Sequence, residues 1–342
     1  MSWTLLLDIG SGTQDVLLYS PDIELENCPK FVLPSPAKMV VKRLGELKDA
    51  GRAVWLHGQN MGGGFGRAVS AHKEAGLAVA AHPDAAYSLG DDLARLEAGG
   101  IALTERCPEG HVPVYLSDYD PGFWTALLSM AGLPLPDRVL AAAQDHGFHP
   151  GKSNRYGRFD LWKRLLHEAD GHPGALLHDV APPEMTRLTA LQSCIGGGPV
   201  ADTGAAAVLG ALFVPEVEAQ QRERGITVVN VGNSHTIAFL VYAGRILGVY
   251  EHHTGLIAPD KLWAEIAAFR TGRLCFEEVF ESRGHGCLTL DLPPEAGDFA
   301  PTYALGPRRD MLQDCGCTFL APGGDMMLAG CFGLLKGLDL RG

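Results

Sequence analysis

The sequence predicts an α/β protein built as two related domains that grip a ligand between them. Three observations carry this expectation. Residues 4–19, TLLLDIGSGTQDVLLY, join two strand-type apolar runs through a short Gly-rich connection, which reads as a hairpin. Residues 227–242, TVVNVGNSHTIAFLVY, repeat the pattern, with Asn230 set against Asp8 and Gly232 against Gly10. A repeat that opens each half points to an internal duplication. Residues 53–81 read strand, Gly-rich run, helix, strand, a βαβ unit that implies a parallel pair. At 342 residues the chain also exceeds what one ordinary core covers.

In the first hairpin, Gly10 and Gly12 let the backbone approach a ligand and aim its N–H groups at it, while Ser11 and Thr13 add donors. That is a phosphate cradle. Asp8 at its mouth calls for a cation, because a carboxylate about 4 Å from a phosphate charge is repelled by roughly 4 kcal/mol at an effective dielectric near 20. Mg²⁺ turns the repulsion into a bridge. One such stretch alone is equally a plain hairpin with a glycine turn; the recurrence strengthens the cradle.

Residues 20–36 carry four prolines and read as a loop or irregular strand. A helix follows at 37–48, with Val40, Val41, Leu44 and Leu47 on one face. Gly62, Gly63 and Gly64 precede a helix at 66–75, where an anion is commonly held, though a flexible strand-to-helix turn explains them as well. After a helix near 89–97, a strand at 112–116 ends in Asp118 and Asp120, the position where open α/β sheets bind ligands. Both are candidates for a metal or a general base; Asp120-Pro121 also reads as the start of the helix at 123–130.

Residues 145–200 are rich in Gly, His and Arg and read as an inserted subdomain or loops. Lys152, Arg155 and Arg158 lie close together there and could grip an anionic substrate, or form a solvated loop. Asp202 then opens an Ala-rich, small-faced helix at 203–213, suited to a close crossing between domains. The second half starts near 226 and runs as an antiparallel meander at 227–231, 236–242 and 246–251. A helix at 260–270, a strand at 318–320 and a closing helix at 326–338 complete it.

Net charge is −12, which argues against nucleic acid or an anionic membrane surface as partner. No apolar run of 18 residues and no basic leader occurs, and eight cysteines do not make a disulfide framework in a chain this long. The expectation is a cytoplasmic protein with reduced thiols, acting on a small-molecule substrate or a protein client, with a homo-oligomer left open.

Four stretches in order resemble the ATPase superfamily of actin, the sugar kinases and the heat-shock chaperones. DIGSGT (8–13) and NVGNSHT (230–236) resemble its two phosphate motifs, ADTGAAAVLGAL (201–212) its connecting segment, and APGGDMMLAG (321–330) its adenosine motif. The resemblance implies two ribonuclease-H-like domains closing over ATP and Mg²⁺. The expected domains are 1–203, with insertions, and 204–342. Asp8 would coordinate Mg²⁺ through water. Gly10, Ser11, Gly12 and Thr13 would hold phosphates with Asn230, Gly232, Asn233 and Ser234. Gly323 and Gly324 would line the adenosine, and Asp202 would orient a water or accept a proton. Asn230 departs from the usual Asp of the second motif, which puts hydrolysis in question more than binding.

At finer grain, HGQNMGGGFG, NVGNSHT, EHHTG and GDMMLAGCFGLLKG resemble a small prokaryotic family labelled as pyruvate formate-lyase activating enzymes. That label implies three cysteines spaced C-X3-C-X2-C around an iron–sulfur cluster, and this chain lacks them; its nearest pair is Cys315-X-Cys317. Finally, His235, His252, His253 and His285 gather in the second half. They read as hydrogen-bonded histidines lining an interdomain cleft, and also suit a zinc or iron site.

Overall fold

The computed structural model describes residues 1–149, 151 and 153–341; the expectation for Lys152 lies outside the described residues. The first hairpin forms β1 (Thr4–Ile9) and β2 (Thr13–Tyr19), in a register that sets Asp8 opposite Asp15. β3 (Lys30–Pro34) extends the pair antiparallel. The chain then leaves this sheet and builds another: β4 (Ala53–Gly58), β5 (Val79–Ala81), β6 (Ala102–Leu103) and β7 (His111–Leu116). Their order is β6-β5-β4-β7 and every pairing is parallel, as short strand–helix–strand joints require.

The chain returns as β8 (Arg138–Ala143), parallel to β1, followed by β9 (Leu177–His178) and β10 (Val200–Ala201). The first sheet therefore runs β3-β2-β1-β8-β10-β9. The second half contributes β11 (Ile226–Val231), β12 (His235–Tyr242), β13 (Arg245–His253), β14 (Gly286–Thr289), β15 (Thr302–Leu305) and β16 (Thr318–Phe319). Its order is β14-β13-β12-β11-β15-β16. Without the edge strands β9 and β14, the two sheets are the same: an antiparallel meander of three, then two parallel strands beyond the first. This is the ribonuclease-H-like strand order, present twice.

The equivalence reaches single hydrogen bonds. The Gly10 N–H donates to the Thr13 carbonyl at 2.9 Å, and the Gly232 N–H to the His235 carbonyl at 2.9 Å. β1 and β11 are central and buried on both faces, which explains their continuous apolar runs.

Two helices join the halves. Thr203–Leu212 is buried along most of its length and crosses the closing helix, Ala329–Asp339. The crossing is close because the residues are small: a Cβ on Gly333 would lie 1.9 Å from the Ala206 carbonyl oxygen. The closing helix also packs on β1, β2 and β8 of the first sheet.

Residues 145–200 differ from the expectation. They carry the helices Thr186–Cys194, which packs into the first half with Leu188 and Leu191 in its core, and Asn154–Glu168, which reaches both halves, with Leu161 in that core and Trp162 and Leu166 packed among Val228 and Phe239 of the second. The separate four-stranded sheet sits earlier in the chain, between β3 and β8.

Candidate functional site

Ligand sites form at the carboxyl ends of parallel strands, and here three sheets aim those ends at one cleft. β1 runs into Gly10 and Ser11, β8 into Gln144, Asp145 and His146, β11 into Gly232, β4 toward Gly62, and β7 into Asp118. These residues line a cavity of about 470 Å³, together with Arg158, Arg187, Asn233, Ser234, His235 and Glu251. A smaller cavity of about 90 Å³ adjoins it, lined by Asp8, Thr13, Asp15, Asn230, Gly306, Met326 and Met327. The hairpin turns meet between the two cavities: the Ser11 and Ser234 hydroxyls are 2.7 Å apart.

The smaller cavity is acidic. The Thr203 hydroxyl donates to Asp8 Oδ1 at 2.9 Å. Burial raises Asp8 from 3.8 to about 7, against the lowering effect of that hydrogen bond. Burial, with the Asp8 charge next to it, raises Asp15 to about 8. Asp15 Oδ1 is buried without a hydrogen-bond partner. Two facing carboxylates and a hydroxyl form an all-oxygen donor set, which fits Mg²⁺. The sequence reading missed Asp15 and Thr203, because only the hairpin register and the helix start bring them to Asp8.

Of the other predicted carboxylates, Asp120 is exposed and caps the helix Pro121–Met130, accepting from the Gly122 and Phe123 N–H groups, while Asp118 and Asp202 are committed to arginines. Arg187 donates to Asp118 from Nε at 2.7 Å and from Nη2 at 3.0 Å, and the Gly62 N–H donates to the same carboxylate. Arg158 donates to Asp202 from Nη1 at 2.9 Å and Nη2 at 3.1 Å, while the Asp145 and Gly204 N–H groups donate to it as well. Burial works to raise Asp202, but Arg158 outweighs it and holds the carboxyl below the usual range. Asp145, which the sequence reading passed over, lines the larger cavity and is raised by burial, although it accepts N–H bonds from Gly147 and Leu188.

Predicted anion-gripping cations serve the fold instead. Arg155 donates to the Phe280 and Gly284 carbonyls at 2.9 and 2.8 Å and stacks 3.7 Å over the Phe280 ring. Arg158 is 1% exposed and bonds Glu251, Asp202 and the Asp145 carbonyl, so it has no face left for a ligand's phosphate. Gly63 and Gly64 line the larger cavity beside Gly62. Gly12 turns toward Ser35, whose N–H donates to its carbonyl at 3.1 Å. Gly323 and Gly324 line neither cavity; Met326 and Met327, just beyond them, line the smaller one.

At one wall of the larger cavity lies a cluster that sequence reading assembled only in part. His146, His235, Glu251 and His285 place their ligand-type atoms within 4.8 Å of one another. Glu251 is fully buried, accepts from Gln144 Nε2 at 2.8 Å and pairs with Arg158 Nε at 2.5 Å. Burial works to raise Glu251, but Arg158 and the imidazoles bring it to about 2. Burial lowers His235 to about 4 and His285 to about 3, so both rings are neutral at pH 7. His253 is a neighbour, its ring 4.6 Å from that of His285. His252 faces the other side of β13, as alternation along a strand requires, and bonds the His253 and Ser282 carbonyls.

A family model described as "Putative pyruvate format-lyase activating enzyme (DUF1786)" matches residues 61–311. The chain belongs to this family. The activating chemistry in the family's description does not fit these residues: all eight cysteines are free, and among the described residues no three of them converge. No curated protein matches the sequence. Solved structures similar to this family member include a Bacteroides thetaiotaomicron protein with actin-like ATPase fold and unknown function, at 6% identity and TM-score 0.40. That match covers 97% of this chain and 95% of that one. The activator of the 2-hydroxyisocaproyl-CoA dehydratase from Clostridium difficile with bound ADPNP matches at 10% identity and TM-score 0.35, covering 99% and 96%. MreB 5 of Spiroplasma citri bound to AMPPNP matches at 10% and 0.34, covering 99% and 95%.

Proposed function

We propose that this protein binds ATP with Mg²⁺ at the paired hairpins and acts as an ATPase or small-molecule kinase. The observation that carries this reading is the meeting of two equivalent glycine turns, Ser11 to Ser234 at 2.7 Å, with a carboxylate pair, half-buried Asp8 and buried Asp15, behind only the first. The charge is one-sided. Asp8 and Asp15 stand on the first hairpin, while the equivalent positions on the second are Asn230 and Ile237. A single divalent cation therefore sits on the first loop. Backbone N–H groups of both turns take the phosphate oxygens, as in other glycine nests.

The larger cavity runs from these turns to Asp145 and holds the phosphoryl acceptor or an attacking water. Asp145, raised by burial, accepts a proton nearer neutral pH than an ordinary carboxylate does. The sugar-kinase part of the reading takes a small molecule there; the ATPase part takes water and couples closure to a protein client. Purified protein is expected to release phosphate, or phosphorylate an acceptor, from Mg-ATP with a turnover that Asp8→Asn abolishes.

A second reading is favoured by Asn230 and by the commitment of Asp118 and Asp202 to arginines. It is a nucleotide switch that holds Mg-ATP without hydrolysis. Binding with no phosphate release over hours would identify the switch; absence of Mg-ATP binding by folded protein would end both readings.

A further inference from the structure

We infer that His146, His235, Glu251 and His285 form a binding site for one first-row transition metal ion of the Zn²⁺ or Fe²⁺ class, separate from the Mg²⁺ position at Asp8. Four elements supply the ligands. His146 follows β8 in the first half, His235 opens β12, Glu251 lies on β13, and His285 precedes β14. Their ligand-type atoms fall within 4.8 Å of one another. Tetrahedral zinc ligands stand about 3.3 Å apart, given metal–nitrogen bonds of about 2.0–2.1 Å. Small rotations of the imidazoles close that difference.

Two features separate this cluster from histidines that merely stack. First, His285 is 2% exposed, and both its ring nitrogens are buried with no hydrogen-bond partner; Nε2 of His235 is in the same state. A buried polar atom left unpaired costs roughly 1–3 kcal/mol, and here three of them belong to two imidazoles of one cluster. A metal ion supplies the missing partner for a nitrogen of each ring. Second, the carboxylate is oriented from outside. Gln144 Nε2 holds Glu251 Oε1 at 2.8 Å and Arg158 Nε holds Oε2 at 2.5 Å, the type of outer support that fixes metal ligands.

The donor set selects the metal. Three imidazoles and one carboxylate suit zinc, iron, cobalt or nickel, whereas Mg²⁺ prefers the oxygen-only set at Asp8 and Asp15. His146, His235 and Glu251 border the 470 Å³ cavity, so the ion faces that space. It also ties the first half, through His146, to three strands of the second. His235 follows Ser234 directly, so the second phosphate turn and the metal site share one loop.

The test is metal affinity, read independently of any nucleotide. Protein stripped with a chelator is titrated with Zn²⁺ against a chromophoric competitor, and separately with Co²⁺ while its visible absorption is followed. The expected result is one ion per chain, with a cobalt spectrum free of thiolate-to-metal charge transfer. His285→Asn and His235→Asn each weaken affinity at least tenfold. His252→Asn, off the cluster, does not, and Asp8→Asn leaves Zn²⁺ affinity unchanged, which keeps this inference separable from the nucleotide reading. His146→Asn replaces His285→Asn if the latter fails to fold, as judged by thermal unfolding of the metal-free protein. Lack of stoichiometric binding by folded wild type would overturn the site. So would affinity undiminished in the folded His285 or His146 variant, or a thiolate signature that assigns the ion to cysteine.

Discussion

Arg158→Met lowers the free energy of unfolding by about 3–5 kcal/mol, the cost of removing one partner from a buried ion pair. The guanidinium is 1% exposed and answers two buried carboxylates at once, Asp202 with both Nη atoms and Glu251 with Nε. It also donates to the Asp145 carbonyl at 2.5 Å. Methionine restores part of the volume and none of the charge, so Asp202 and Glu251 are left buried, and each must be desolvated unpaired or take a proton. Arg158→Lys recovers little, since an ammonium lacks the planar fork that reaches three acceptors in fixed directions. Urea denaturation of the two variants beside wild type checks this. A loss below about 1 kcal/mol for Arg158→Met would show that water reaches the cluster and that Arg158 does not organise the cleft.

Asp8→Asn stabilises the metal-free protein at pH 8 by about 2 kcal/mol while removing its response to Mg²⁺. Asp8 titrates near 3.8 in an unfolded chain and near 7 in the fold, and Asp15 near 8. Between those values the folded state holds more protons than the unfolded one. Metal-free stability therefore falls as pH rises from about 4 through about 8. A shift of one unit corresponds to about 1.4 kcal/mol, so Asp8 alone contributes at most about 4 kcal/mol to that decline. In the proposed reading Mg²⁺ binds the ionised pair, so it is expected to offset the loss at pH 8 and to have little to bind at pH 5, where both carboxyls carry protons. Urea midpoints at the two pH values, with and without Mg²⁺, read each effect. A wild-type stability flat between pH 5 and 8, or a Mg²⁺ response equal at both, would contradict the assignment.

The hairpins were legible in the sequence because a strand buried on both faces writes its apolar run in consecutive residues, and β1 and β11 both do so. The βαβ unit at β4 and β5 was legible from its short joints. β8 was not: its run Val139-Leu140-Ala141-Ala142-Ala143 ends in three alanines, which favour helix over strand, and nothing local says that it pairs with β1. The helix Asn154–Glu168 was hidden for a related reason. It buries Arg158, so its polar residues do not mark its solvent face.

Asp8, the glycines of the two turns and Ser234 could be named from pattern alone, since a turn is local. Asp15 lies in the same stretch, yet only the register that sets it opposite Asp8 gives it meaning. His146 and Glu251 come together from positions 105 residues apart, beyond any local signal. Along His252 and its neighbours, the alternation of β13 decides the outcome: Glu251 faces the cleft and His252 does not.

The measurement closest to the central claim is thermal unfolding with Mg-ATP, with ATP and chelator, and with neither, on wild type and Asp8→Asn. A ligand that binds only the folded state, at 100 times its dissociation constant, adds about 2.7 kcal/mol. The expected result is a rise in the midpoint that needs both Mg²⁺ and ATP in wild type and is lost in Asp8→Asn. No rise in folded wild type, or an equal rise in the variant, would contradict a Mg-nucleotide seated on the first hairpin.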